Sequence, residues 1–188
     1  MRILVATDLH YRLQHYDWLV SKAPEFDVVA LTGDLADVTN PVPLAVQIVV
    51  LDQYLDTLAQ HAVVLAASGN HDLDGPGADG EQVARWLRRA RDAGVHTDGS
   101  SVDIDGVRFT VCPWWDGPLV KRRLESQLGE AAARRLRQWI WVHHAPPANS
   151  PTSWGGKRFF GDVELVQWIK NYQPSMVISG HVHQSPFI

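Results

Sequence analysis

Short apolar runs alternate along the chain with longer segments whose apolar residues recur at helical spacing. In the segment 43–60, for example, Leu44, Ile48, Leu51 and Leu55 fall on one face of a helix. This alternation predicts an α/β protein in which helices and sheets form layers. The predicted strands are 3–7, 27–32, 62–67, 140–143 and 176–179, and the predicted helices are 13–23, 43–60, 81–93, 119–137 and 162–171.

Local turn signals add detail to this pattern. Asp105-Gly106 separates two strand-like runs, 101–104 and 107–112, and therefore predicts a β-hairpin. Gly94 is placed to end the helix 81–93. Asp162 is placed to cap the helix that follows it.

Length and composition fit one soluble globular domain over residues 1–188, with 45% hydrophobic and 20% charged residues. A formal charge of −4 gives no reason to expect a broad nucleic-acid-binding surface. The run of Arg134, Arg135 and Arg137 is more typical of a solvated helix face than of a nucleic-acid site. A nucleic-acid partner is therefore not favoured, although a metal site could hold a single phosphate by itself.

The sequence also favours a cytoplasmic protein. The first residues enter a predicted strand at once and lack the apolar region and cleavage site of a signal peptide. No apolar run reaches the ~18 residues of a membrane span, so no membrane partner is expected. The single cysteine, Cys112, excludes an intramolecular disulfide and is expected to be a buried, unreactive thiol.

Metal-liking side chains form five short clusters, each at the point where a predicted strand gives way to a loop. Ligand sites of open α/β sheets gather at the carboxyl ends of strands, so these clusters could converge on one cleft. Residues two apart in extended backbone share a face, which would let the two i, i+2 pairs each reach one side of the site. The candidate metal ligands are Asp8, His10, Asp34, Asn70, His144, His181 and His183.

Each cluster taken alone has a plain structural alternative. Asp-x-His is usually a surface pair, Gly-Asp is usually a turn, and Gly-Asn-His-Asp can be a loop that caps a helix. Gly-His-x-His alone is about as typical of a metal site as of a purely structural segment. All five in one order, each at a strand end, favour two divalent cations that share a carboxylate and hydrolytic chemistry, most often at phosphorus.

The order Asp-x-His, Gly-Asp, Gly-Asn-His, His-x-Pro and Gly-His-x-His resembles the calcineurin-like metallophosphoesterase superfamily over residues 8–183. The resemblance implies a four-layer α/β/β/α sandwich with two mixed β-sheets and the metals at the sheet ends. It also implies two ligand sets that share Asp34. The first set is Asp8, His10, Asp34 and His183, and the second is Asp34, Asn70, His144 and His181.

The same resemblance implies roles for the neighbours of these ligands. His71 would stabilise the transition state or protonate the leaving group, and Asp37 would orient His71, although Asp37 is equally typical of a solvated loop carboxylate. The family's His-x-Pro motif selects His144 as the ligand in the doublet His143-His144, which leaves His143 as a packing residue.

The implied activity is hydrolysis of a phosphomonoester or phosphodiester, a nucleotide included, by in-line attack of a metal-bridging hydroxide. Carboxylate, amide and imidazole ligands without a thiolate suit Mn²⁺, Fe or Zn²⁺ and disfavour a structural zinc. The alternatives are a metal-dependent nuclease and a non-catalytic scaffold of the same fold. The sequence does not predict the oligomeric state.

Three further segments bear on substrate choice and completeness. The loop 150–161 could form a lid in which Trp154, Phe159 or Phe160 touches a planar group, or it could be a packed surface loop. Trp114 and Trp115 follow a strand and could form a wall of the cleft, although core packing of at least one is more typical. Relatives usually continue past the last motif with further strands, so this is either a shortened chain or one whose C-terminal closing strands are missing.

Overall fold

The computed structural model describes residues 1–133 and 137–184. Its elements form four layers, in which two β-sheets pack face to face and helices cover both outer faces. The predicted α/β sandwich is therefore confirmed. Among the described residues, no helix combines the length and the apolar character needed to cross a membrane.

The first sheet is built from four strands in the order β1-β2-β3-β6, and every described pairing within it is parallel. The prediction that both sheets are mixed is therefore wrong for this one, because its strands are joined by crossover segments and not by hairpins. The strands are β1 (Ile3–Ala6), β2 (Val28–Thr32), β3 (Val63–Ala67) and β6 (His96–Thr97).

The second sheet is mixed and has the order β10-β9-β8-β7. Its β7 and β8 form the predicted antiparallel hairpin, and both residues of the Asp105-Gly106 turn have positive φ, as a two-residue turn of this kind requires. The other pairings are parallel. The strands are β7 (Ser101–Ile104), β8 (Val107–Val111), β9 (Gln138–Val142) and β10 (Met176–Ile178).

Strict alternation of side chains assigns each strand residue to one of the layers. In β2, Val28 and Ala30 face the second sheet, while Val29 and Leu31 face the helices. Strand β9 follows the same rule, with Ile140 and Val142 between the sheets and its two tryptophans against the outer helices. Both faces of these central strands are buried, which explains their unbroken apolar sequences.

Helices complete the outer layers. Helices α1, α2 and α3 pack on the first sheet, and α4 and α5 pack on the second. The carboxylate of Asp162 accepts a hydrogen bond from the Leu165 amide at 2.9 Å, so the predicted cap of α5 is confirmed. The helices are α1 (Leu13–Lys22), α2 (Leu44–Ala59), α3 (Leu87–Ala90), α4 (Pro118–Ala132) and α5 (Val163–Tyr172).

The predicted helix 81–93 is wrong in its first half. A short hairpin of β4 (Gly75–Pro76) and β5 (Gln82–Val83) occupies this region, and only α3 and a 3₁₀ turn, Arg91–Ala93, are helical. The carboxylate of Glu81 instead accepts hydrogen bonds at 2.7 Å from two amides that begin α4. Gly94 ends the turn with φ of 85°, as its position predicted.

Two further predictions concern residues outside the described ranges. Helix α4 ends at Ala132, before the basic run, and both Arg134 and Arg135 lie outside the described residues. The expectation about the C-terminal closing strands concerns residues after Gln184, which also lie outside the described ranges. Within the described residues, β10 forms one edge of the second sheet.

Candidate metal centre

The predicted ligands converge at the carboxyl ends of five strands. Asp8 and His10 follow β1, Asp34 follows β2, and Asn70 follows β3. The two sheets contribute jointly, because the remaining three ligands follow strands of the second sheet. These are His144 after β9, and His181 and His183 after β10.

The backbone around these side chains is largely left-handed. Asp8, His10, Asp34 and His181 have φ values of 53°, 45°, 51° and 71°. Such conformations cost roughly 1–3 kcal/mol each for residues other than glycine and cluster at functional sites. The expectation that Asp8 and His10 share a face of extended backbone is therefore wrong in its reason, although their side chains do approach each other, with His10 Nε2 4.0 Å from Asp8 Oδ1.

Close approach of loops requires the glycines that precede three ligands. A Cβ on Gly33 would lie 2.6 Å from Nδ1 of His144, and Gly33 also has φ of 95°. A Cβ on Gly69 would overlap the Asp34 carboxylate, and one on Gly180 would overlap Thr7. These positions hold the loops close enough for the side chains to meet.

One group of side chains, here called the exposed group, consists of Asp8, His10 and His183. His183 Nε2 lies 3.2 Å from Asp8 Oδ1 and 3.3 Å from His10 Nε2. The side chain of His183 is 55% exposed. Two hydrogen bonds hold the Asp8 carboxylate in place, one from the Thr7 hydroxyl at 2.6 Å and one from the His181 amide at 3.0 Å.

A second group, here called the buried group, consists of Asp34, His144 and His181. His144 Nε2 lies 3.2 Å from Asp34 Oδ2 and 3.2 Å from His181 Nδ1. The opposite ring nitrogen of His144 donates to the Thr32 carbonyl at 2.7 Å, which turns Nε2 toward the other two side chains. His144 is completely buried.

Asp34 links the two groups. Its Oδ2 is 3.2 Å from His144 Nε2 on one side and 3.8 Å from His10 Nε2 on the other. Burial by itself would raise the pKa of Asp34, but the hydrogen bond and charge of His144, helped by the His71 amide, outweigh burial and lower it. Burial likewise acts to lower the pKa of His144, and the Asp34 carboxylate outweighs that effect and raises it. The pair therefore favours an ionised carboxylate at the junction of the groups.

Asn70 supplies an independent test of whether a cation fits here. Its Oδ1 is buried and has no hydrogen-bond partner among the described residues. A buried acceptor without a partner is costly, and a cation would satisfy it. Oxygen and imidazole donors that converge without a thiolate suit Mn²⁺, Fe or Zn²⁺. The side chains present therefore fit divalent metal.

His71 lies beside the exposed group. Its Nδ1 is 3.2 Å from Asp37 Oδ1, so the predicted contact between these two residues is present. The His71 ring also packs edge-on against His10, with ring centres 4.7 Å apart. One ligand atom from each of His10, Asp34 and His71 lies within 4.8 Å of the others, so geometry alone permits His71 either to bind metal or to face the substrate.

Asp72 belongs to the site, and sequence reasoning missed it. The residue is fully buried, and its carboxylate accepts hydrogen bonds from the amides of Ala36 and Gly69, both at 2.8 Å, and of Leu35 at 3.3 Å. Burial, helped by the charge of Asp34, raises the pKa of Asp72 to about 7. Asp72 thereby ties the loop that carries Asp34 to the loop that carries Asn70. Its position directly after Gly-Asn-His was the only signal available.

His143 faces away from both groups. Its ring stacks on Trp115 with centres 4.7 Å apart, and Nδ1 lies 3.5 Å from the Cys112 carbonyl. Burial lowers the pKa of His143 to about 3, so the ring is neutral. These contacts support the choice of His144 over His143. The Cys112 thiol is buried, as predicted, and burial raises its pKa.

The two tryptophans after β8 differ in role. Trp114 lies beside the buried group, with its ring centre 5.4 Å from that of His181, whereas Trp115 packs against Trp168 in the outer core. In the loop 150–161, Phe160 is 44% exposed and borders a cavity together with His181 and His183. Trp114 and Phe160 therefore both border the site.

The chain is similar to known proteins in family and in fold. The model of a family described as calcineurin-like phosphoesterase matches residues 1–185. The sequence matches no curated protein. Its structure is similar to that of a purple acid phosphatase from yellow lupin (Lupinus luteus) seeds, with a TM-score of 0.60 and 18% identity. The likeness covers 97% of this chain but 38% of the lupin chain, so the chain spans well under half the length of that structure. At this identity, the likeness shows a shared fold.

Proposed function

The chain belongs to the calcineurin-like phosphoesterase family of metal-dependent phosphoric ester hydrolases, and from this premise we propose that it hydrolyses a small phosphomonoester or phosphodiester, with nucleotides among the candidates, at two divalent cations. The observation that carries the proposal is the pair of ligand groups that adjoin at Asp34. Two metal sites that share a carboxylate are typical of hydrolysis at phosphorus.

The exposed group together with Asp34 would hold one cation, and the buried group together with Asn70 would hold the other. Bound there, the two cations supply positive charge at the phosphate oxygens and lower the pKa of a bound water. Mn²⁺, Fe and Zn²⁺ all suit these donors, and we propose Mn²⁺ as the metal to try first. All the ligand roles are part of the proposal.

The chain's own contribution to the reaction centres on His71. A donor at Nδ1 would bond to Asp37, and this bond would fix the ring so that Nε2 can protonate or hydrogen-bond the leaving oxygen. Burial acts to raise the pKa of Asp37, but hydrogen bonds from Thr39 and the contact with His71 outweigh burial and lower it. An ionised Asp37 is the form that would orient His71, so Asp37 is proposed as a positioning residue.

The proposal is tested by metal reconstitution and a substrate panel. Protein freed of metal by a chelator is reconstituted with Mn²⁺, and turnover is measured on aryl phosphomonoesters, aryl phosphodiesters and cyclic nucleotides. We expect two metals per chain and hydrolysis of at least one ester class, with little activity before reconstitution. Fewer than one metal per chain and no hydrolysis of any ester would instead support a non-catalytic scaffold.

A nuclease is the second candidate, and the net charge of −4 counts against it. Hydrolysis of single-stranded DNA without hydrolysis of small phosphodiesters would reverse this preference. We further propose a single domain over residues 1–188 and a cytoplasmic location. The location rests on a single cysteine, which is buried and free.

A further inference from the structure

A cavity of about 420 Å³ opens directly beside the exposed group. Asp8, His10 and His183 form one part of its wall, and Arg12 and His15 form another. The cavity therefore places cationic and hydrogen-bond-donating side chains next to the proposed metal ligands. Neither Arg12 nor His15 belongs to the motifs that identified the site.

Arg12 is held in a fixed relation to those ligands. Its amide donates to the Leu9 carbonyl at 2.9 Å, and Leu9 is a buried residue between Asp8 and His10. The amide of His15 in turn donates to the Arg12 carbonyl at 2.8 Å. The backbone that positions the first ligands thus also positions these two side chains.

The charge of Arg12 is not neutralised within the part of the chain that the structure describes. Arg12 is exposed at the start of α1, and no described carboxylate pairs with its guanidinium. The carboxylate in the cavity wall, Asp8, is already bonded to Thr7, the His181 amide and His183. The guanidinium is therefore available to an anion that enters the cavity.

Resting on the function proposed above, we propose that Arg12 and His15 bind a second phosphate of the substrate while the scissile phosphate lies at the metal ligands. Guanidinium pairs bidentately with phosphate, and an imidazole N–H adds a further donor. The preferred substrates would then be phosphate esters that carry a second phosphate, such as a nucleoside diphosphate or a nucleoside bisphosphate.

The experiment compares AMP, ADP and adenosine 3′,5′-bisphosphate as substrates of the Mn²⁺-loaded wild type and Arg12→Gln. We expect the substitution to raise KM for at least one of the two doubly phosphorylated substrates by about tenfold, the loss typical of one charge-assisted contact. The KM for AMP should change less than twofold, and kcat should change little for all three. His15→Gln should give a smaller change in the same direction.

Two further variants control for charge and geometry. Lys22→Gln removes one positive charge from the last turn of the same helix, where Lys22 pairs with Glu25, and should leave all three KM values unchanged. Arg12→Lys keeps the charge but loses the bidentate fork, so it should recover only part of the affinity. Equal changes for AMP and both doubly phosphorylated substrates in Arg12→Gln would overturn the proposal.

A binding measurement separates this proposal from the proposed function. Methylenediphosphonate and methylphosphonate are titrated into Mn²⁺-loaded protein from which free metal has been removed, and heat of binding is recorded. We expect Arg12→Gln to weaken binding of the diphosphonate about tenfold and to leave methylphosphonate unaffected. Unchanged diphosphonate affinity overturns the role of Arg12 whether or not any ester is hydrolysed, whereas absent hydrolysis with the expected binding overturns only the proposed function.

Discussion

The two groups of candidate metal ligands differ sharply in how much of the protein surrounds them. In the buried group, the side chain of His144 is fully inaccessible and that of Asp34 is 3% exposed. In the exposed group, His183 is largely solvent-accessible and follows the last described strand by only a few residues. Asp34 lies between them, so one carboxylate would serve two sites of different rigidity.

Because of this difference, the two proposed metals are not expected to be held equally well. The Thr32 carbonyl and the close approach of Gly33 fix the His144 ring before any cation arrives. Fixed ligands lose less conformational entropy on binding, which favours tighter metal affinity. The exposed group instead borders the cavity that Arg12 lines, which is open to solvent and where the proposed substrate would bind. We therefore expect the buried group to bind metal more tightly.

The largest effect is expected for Asp34→Asn, which removes the negative charge that both proposed metal sites would share. Turnover should fall by more than about 10³-fold, because charge stabilisation at both cations is weakened together. Metal content after Mn²⁺ reconstitution, measured by elemental analysis, should fall at both sites. Loss of one metal with the second fully retained would show that Asp34 serves a single group and would remove the link on which the comparison rests.

His71→Ala tests whether His71 acts on the leaving group or binds metal. If His71 acts on the leaving group, turnover should fall about 10²–10⁴-fold while both metals are retained. Asp37→Asn should lower turnover less, since it acts only through the orientation of His71. Metal analysis beside single-turnover kinetics gives both readouts. Loss of one metal in His71→Ala would assign His71 to the ligands together with His10 and Asp34.

His144→Gln and His183→Gln compare the groups directly. The side chains of the buried group are rigid, so we expect metal affinity at that site to fall only in His144→Gln. We expect His183→Gln to weaken metal affinity only at the exposed site. Each loss of affinity should be about 10–100-fold. Competition with a calibrated chelator gives the two affinities in each variant. In the wild type the tighter affinity should be the one that His144→Gln weakens. The opposite assignment would contradict the ranking drawn from burial.

The smallest effect is expected for Asp162→Ala, at the N-cap of α5 directly after the loop that contains Phe160. Removing the cap of α5 should lower the free energy of unfolding by about 1 kcal/mol, measured by urea denaturation. Asp162→Asn keeps an acceptor and should change stability by less. Metal affinity of the buried group should be unchanged in both, which separates local stability from the geometry of the site.

The sequence predicted those parts of the fold that depend on neighbours along the chain. The Asp105-Gly106 hairpin follows from turn conformation, and the strands follow from short unbroken apolar runs. Both are local properties of the sequence. The prediction of a helix over 81–93 is wrong in its first half. The apolar spacing of this segment is compatible with a helix, but Glu81 contacts the start of α4 instead. That contact joins residues 38 positions apart, and no local rule predicts it.

At the site, the motifs by themselves determined which side chains are candidates and the class of enzyme. Only tertiary structure decided that His144 is buried while His183 is exposed, that Asp72 holds two ligand loops together, and that Arg12 borders the same cavity. The physical reason is that donor chemistry belongs to each residue type, whereas burial, loop approach and charge neutralisation depend on segments that the fold brings together from distant parts of the chain.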